Sequence, residues 1–172
     1  MYTIKKHAGE GSRSSFYKLN QRGKGFKTFL DREDAEYAHA IQSELSLNNL
    51  APKVYSEVGR IRIGNILSPW GYITEVAKTI TPHGNGCNCD KCDMIEDRYV
   101  EEIAELQNDI EEAGYYFCDT HTGNVGFVKR DGYNILVCID TGRESVEEYD
   151  NERSEYSCEC EQCRKYREEQ YA

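Results

Sequence analysis

The chain has 172 residues, enough for one domain of ordinary size in one or two small lobes. It has 38% hydrophobic residues and a mean hydropathy of −0.77. No apolar run reaches the roughly 18–20 residues of a membrane helix. The start, Met1-Tyr2-Thr3-Ile4-Lys5-Lys6, lacks the apolar stretch of a signal peptide, so a cytoplasmic, membrane-free protein is expected. The net charge of −10 disfavours binding along a nucleic-acid backbone, although Lys and Arg concentrate in positions 5–27 and Glu in the last thirty residues.

Residues 2–8 alternate loosely and predict a strand. The small residues at 9–15 predict a turn, and Ser15-Phe16-Tyr17-Lys18-Leu19 the returning strand. After a Gly-containing turn at 21–25, Phe26-Lys27-Thr28-Phe29-Leu30 reads as a third strand. Asp31 is a good N-cap for a helix starting at Arg32. Ala35, Ala38, Ile41 and Leu45 recur at helical spacing over 32–47, and Asn48-Asn49 ends that helix. One or two short strands are expected over 54–66, and another over 72–77. Residues 81–93 form a Gly- and Cys-rich loop. Val100, Ile103, Leu106, Ile110 and Ala113 mark a second amphipathic helix over 98–113, ended by Gly114. Residues 125–128 and 135–139 are two strands around a turn at 129–132. The tail from Arg143 is polar and acidic, with some helix expected.

Eight cysteines is a high count for a cytosolic chain, where clustered thiols bind metal more often than they form disulfides. Six fall in two matching C-x-C-x-x-C clusters, Cys87, Cys89, Cys92 and Cys158, Cys160, Cys163. A C-x-x-C spacing lets two thiolates reach one zinc ion. The simplest four-thiolate set is Cys89, Cys92, Cys160 and Cys163. Cys87 and Cys158 are left to replace one of these or to serve a second ion. Disulfides, free thiols and an iron–sulfur cluster are the alternatives. A closed site of this kind is structural and would pin the tail to the loop before the second helix, contributing on the order of 10 kcal/mol. Cys118 and Cys138 sit in apolar surroundings and read as core residues.

The segment Cys118-Asp119-Thr120-His121-Thr122-Gly123-Asn124 is followed by a hairpin and then by Ile139-Asp140-Thr141-Gly142. An Asp, an Asn five residues on and a later Asp-x-Gly form a phosphoryl-transfer layout. The first Asp takes the proton of an attacking hydroxyl, while the Asn and the second Asp hold magnesium against nucleotide phosphates. Asp140 directly follows an apolar strand, where an unpartnered charge is costly.

With the order three strands, helix, two strands, helix, hairpin, the chain resembles the protein-kinase-like superfamily over roughly residues 1–145. The stretch from Gly9 to Lys18 looks like its glycine-rich loop, with Ser14 where a third glycine often stands. The resemblance implies Gly9, Gly11 and Ser12 beside the phosphates. Lys27 would be the strand lysine that pairs with them, and Glu75 and Ala77 would lie in a hinge (75–77) whose backbone meets adenine. Asp119, Asn124 and Asp140 match the catalytic and magnesium positions. The helix glutamate that would hold Lys27 is Glu44 or Glu36. Glu44 is weighted slightly, and it shares a face with Tyr37 and Ile41. Three features depart from the family. Phe117-Cys118 replaces the usual His-Arg or His-Gly, His121 follows the catalytic Asp, and only thirty residues follow Gly142, with no Ala-Pro-Glu segment.

The resulting expectation is an α+β, protein-kinase-like fold. An antiparallel-sheet N-lobe with one helix (1–78) precedes a reduced helical C-lobe with a catalytic hairpin and zinc staple (79–172). The implied activity is ATP- and magnesium-dependent phosphoryl transfer to an unidentified protein or small-molecule hydroxyl. A kinase-like pseudoenzyme is the first alternative, and a zinc-stabilised interaction module with an acidic tail the second.

Overall fold

A computed structural model describes residues 4–10, 14–63, 66–80 and 89–148. Strands β1 (Ile4–Glu10), β2 (Ser14–Leu19), β3 (Lys24–Phe29) and β6 (Trp70–Glu75) form an antiparallel sheet in the order β1-β2-β3-β6. Helix α1 (Arg32–Leu47) comes directly after β3, and the small pair β4 (Arg62–Ile63) and β5 (Ile66–Leu67) precedes β6. The chain then crosses at Val76-Ala77 into β7 (Lys78–Thr79), which pairs with β9 (Val125–Arg130). Strand β10 (Tyr133–Cys138) completes that second antiparallel sheet. Helix α2 (Asp90–Glu112) leads into β8 (Tyr115–Phe117), which pairs with β11 (Val146–Glu148).

Local chemistry accounts for the helix ends. The Asp31 carboxylate accepts from the Asp34 N–H at 2.8 Å, so α1 starts where the N-cap expectation put it. It stops at Asn49, whose φ of +60° bends the chain so that the Leu50 N–H returns to the Leu45 carbonyl at 3.0 Å. Asp131 and Gly132, both left-handed with φ of 50° and 91°, make the two-residue turn of the β9–β10 hairpin.

The elements differ from expectation in α2 and in the tail, and strands β7 and β8 stand where no strand was expected. Helix α2 begins at Asp90 rather than at 98, so Cys89 is its N-cap and Cys92 lies in its first turn instead of a loop. Its first two turns are mostly polar, which hid the helical period. Val100 is 61% exposed; the buried stripe runs through Leu106 and Ile110. Val146–Glu148 form a short strand, and residues 149–172, most of the tail in which some helix was expected, lie outside the described residues.

The main core lies between α1, α2 and the second sheet. Ile41, Leu45, Leu106, Ile110, Phe117, Val125, Cys138 and Val146 pack there. Ala35 and Ala38 of α1 pack on Phe29 and Tyr72 of the first sheet, and Leu19, Phe26 and Ile73 form a cluster of their own. The helix period of residues 35, 38, 41 and 45 therefore buries one stripe against both sheets. Inside this contact Gln42 is 1% exposed and fully used. Its Nε2 donates to the Pro52 carbonyl (2.9 Å) and to Thr74 Oγ1 (2.6 Å), and its Oε1 accepts from the Tyr72 hydroxyl (2.8 Å). Among the described residues no helix is long and apolar enough to cross a membrane.

Candidate phosphoryl-transfer site

Strand β3 delivers Lys27 to the face that α1 covers, and its side chain is 8% exposed. Its ammonium donates to Asp140 Oδ1 and to the Ile139 carbonyl, each at 3.1 Å, across more than a hundred residues of sequence. Asp140 lies just past the end of β10, and its neighbours tie it to three segments. The Cys138 N–H meets the Leu50 carbonyl at 2.9 Å, the Ile139 N–H meets the Asn124 carbonyl at 2.8 Å, and the Thr141 hydroxyl donates to the Ala38 carbonyl of α1 at 2.9 Å. The carboxylate also accepts from the Gly142 N–H at 3.2 Å.

Burial pushes the Asp140 carboxyl upward, but the Lys27 ammonium beside it wins and the net shift is below the usual range. Burial likewise pulls Lys27 down, and Asp140 reverses it to a net rise. Both groups are therefore charged at neutral pH. Burial raises the neighbouring Cys138 thiol well above its ordinary value, and its S–H donates to the Asp140 carbonyl at 3.0 Å. Cys138 and Cys118 are both buried, as their apolar surroundings predicted.

The loop between β8 and β9 carries Asp119 and Asn124. The Asn124 amide nitrogen donates to the Asp119 carbonyl (3.0 Å) and carboxylate (2.8 Å), so the five-residue spacing closes a loop on itself. His121 Nδ1 accepts from the Gly123 N–H at 2.9 Å, which leaves the proton on Nε2, 3.4 Å from the Asp119 carboxylate. Asn124 is 4% exposed, whereas the Asp119 side chain is 38% exposed. The deep end of the loop thus faces Asp140 and the accessible end carries Asp119.

Ser145 joins the two halves and was missed in the sequence. It is fully buried. Its hydroxyl donates to Asp140 Oδ2 at 3.1 Å and accepts from the Asn124 amide at 3.3 Å. The Cys118 N–H meets its carbonyl at 3.1 Å. A single serine in a polar tail carries no spacing signal. Lys27, Asp140, Ser145, Asn124 and Asp119 form one continuous chain of contacts.

The other expected site residues that the structure describes make different contacts. Glu44 does not meet Lys27. Its carboxylate accepts from the Tyr115 hydroxyl at 2.5 Å, and burial together with that carboxylate raises the Tyr115 pKa. Glu36 pairs with Arg32 at 2.7 Å. The Glu75 carboxylate is held by the Arg130 guanidinium through two bonds of 2.6 and 2.7 Å, and its N–H donates to the Lys53 carbonyl. Ala77 lies in the crossing between the sheets. Gly9 pairs with Phe16 in the β1–β2 ladder. Gly11 and Ser12 lie outside the described residues, as do Cys87, Cys158, Cys160 and Cys163. Among the described residues no group of three or more His, Cys, Asp or Glu side chains is arranged to hold a metal ion.

No protein-family model matches the sequence, and no curated protein sequence matches it. The fold is similar to that of a viral enzyme, the Cydia pomonella granulovirus kinase PK-1, with a TM-score of 0.53 at 13% identity. The likeness covers 86% of this chain and 55% of the viral kinase, so the chain spans about half of that protein's length. At this identity the likeness is one of fold: mixed α and β, antiparallel sheets, few helices, kinase-like.

Proposed function

We propose that the chain is a compact kinase-like phosphotransferase that moves the γ-phosphoryl group of ATP to the hydroxyl of a protein or small molecule. The observation that carries this reading is the unbroken contact chain from Lys27 through Asp140, Ser145 and Asn124 to Asp119. The donor chemistry fits magnesium. Asp140 and Asn124 each carry a side-chain oxygen, the ligand a hard cation prefers, and the two side chains meet through the Ser145 hydroxyl, Asn124 by its amide nitrogen. They would hold the ion, which when bound with nucleotide supplies neutralisation of phosphate charge.

The chain's own residues do the rest. Lys27 presents a buried, permanent positive charge to the phosphates. Asn124 and His121 fix the Asp119 carboxylate, which accepts the proton as the acceptor oxygen bonds to phosphorus and the bond to the ADP oxygen breaks. Incubation with labelled ATP, magnesium and a host lysate tests the reading. Wild type should label an acceptor and an Asp119→Asn control should not. A protein that neither transfers phosphate nor gains thermal stability from millimolar Mg-ATP would refute it.

A nucleotide-binding pseudoenzyme is the second reading. It is favoured by the engagement of Glu44 with Tyr115 and by the closure of Lys27 onto Asp140. It predicts thermal stabilisation by nucleotide without transfer.

A structural zinc ion belongs to the same proposal. Cys89 caps α2 and its carbonyl accepts from the Cys92 N–H at 2.8 Å, so the two cysteines share one turn at a helix N-terminus that favours thiolate. Together with Cys87, Cys158, Cys160 and Cys163 they would pin the tail to the start of α2 in a reducing, cytoplasmic setting. Elemental analysis of protein purified under reducing conditions decides whether zinc is present.

A further inference from the structure

Away from the Lys27–Asp140 site, the two sheets border a half-open cavity of about 660 Å³ around the Val76 crossing. Its size is that of a pocket for a compact small ligand. Four cationic side chains line it. Arg22 and Lys24 come from the turn into β3, Lys78 from β7 and Lys129 from β9. The one carboxylate among the lining residues, Glu75, is already neutralised by the two bonds from Arg130. The pocket is thus strongly cationic on a chain whose net charge is −10.

The walls are also partly aromatic. Lys24 Nζ sits 4.8 Å from the centre of the Tyr55 ring, which holds one cation at one rim. The half-buried Phe127, which also lines the pocket, packs edge-on against Tyr99 at 5.5 Å. Tyr55 and Phe127 give the lining aromatic surface for an apolar body, and the four cations offer partners to an anionic group. The net charge of −10 disfavours a long polyanion, so a small ligand is favoured over a nucleic acid.

We propose that this cavity binds a small phosphorylated ligand with an aromatic or other flat apolar body, gripped by Arg22 and Lys24 from one sheet and Lys78 and Lys129 from the other. The site does not depend on phosphoryl transfer at Asp119. A ligand held from both sheets bridges the crossing between them, and so stabilises the fold by mass action.

Phenyl phosphate is a minimal probe, with inorganic phosphate and phenol as its two halves. Amide NMR shifts of the full chain should map phenyl phosphate to residues 22–24, 75–78 and 127–134, with binding about ten-fold tighter than either half. Higher salt should weaken it. Lys78 and Lys129 are exposed, so Lys78→Glu with Lys129→Glu should leave the melting temperature intact and weaken binding by about ten-fold or more. Three results would overturn the proposal: shifts confined to other residues, affinity unchanged by the double charge reversal, or inorganic phosphate binding as tightly as phenyl phosphate. Tighter binding of a tetraglutamate peptide at these same residues would also overturn it, in favour of a peptide site.

Discussion

Replacing Asp140 with Asn keeps the shape of the side chain and removes its charge. Lys27, 8% exposed, then keeps the Ile139 carbonyl as an acceptor but loses the carboxylate that balances its charge. Breaking one side of a buried pair costs about 3–5 kcal/mol. The Asp140 side chain is 33% exposed, so solvent screening reduces the cost to about 2–3 kcal/mol. In a chain of this size each kcal/mol moves the melting temperature by about 2–4 °C, so Asp140→Asn should melt about 4–12 °C lower. The assay is thermal or urea unfolding of wild type, Asp140→Asn, Lys27→Met and the double variant. The coupling should exceed about 1 kcal/mol; single effects that add to the double effect within about 0.5 kcal/mol would refute the pairing argument.

The pH dependence gives the sign independently. The Asp140 carboxyl is lowered on folding, so its contribution is present above the ordinary value near 4 and is lost as pH falls through the folded value. Lys27 is raised, so its contribution is present below the ordinary value near 10.4 and is lost as pH rises through the folded value. The gap between wild type and Asp140→Asn should therefore be constant from about pH 5 to 10 and shrink in acid. A gap that grows below pH 4 contradicts the assignment.

Three further outcomes are expected. Asp119→Asn should keep nucleotide affinity and lose transfer by about 10²-fold or more, measured as product formed per unit time; unchanged transfer would remove Asp119 from the proton path. Ser145→Ala strips the shared partner from Asn124 and Asp140, so the magnesium concentration that half-saturates nucleotide stabilisation should rise by about 10-fold, with Ser145→Thr recovering part of the loss. Changing Cys160 and Cys163 to Ser should release zinc while amide exchange in β3 stays slow. Wild-type protein with no zinc by elemental analysis would eliminate the staple.

Elements with a strong period could be read from the sequence, and contacts between distant residues could not. Residues 35, 38, 41 and 45 placed α1 because one stripe of small and apolar side chains faces the sheets. The β9–β10 turn was legible because Asp131-Gly132 suits two left-handed residues. The start of α2 was not, since its charged first turns look like loop. Strands β8 and β11 have three residues each and find each other across some thirty residues, below any sequence signal. At the site, the Asp119 and Asn124 spacing was visible because the contact is local. Glu44 was misplaced because sharing a helix face does not decide which of two neighbours, Lys27 or Tyr115, a carboxylate meets.

The two ends of the site differ in how firmly they are held, and that difference bears on what the chain can act upon. Asp140 is fixed through Cys138, Ile139 and Thr141 to the loop at Leu50, to Asn124 and to α1, so core packing on several sides must move before its carboxylate can. Preorganised charge of this kind needs no reorganisation when phosphate charge develops. Asp119 is steadied by Asn124 and His121 of its own loop, and its carboxylate faces outward. On the proposed reading, phosphate recognition is built into the core and acceptor recognition is not. Acceptor choice is then set by whatever borders the exposed side of Asp119. Substitutions in the core should change nucleotide binding, and substitutions beside His121 should change which hydroxyl is used.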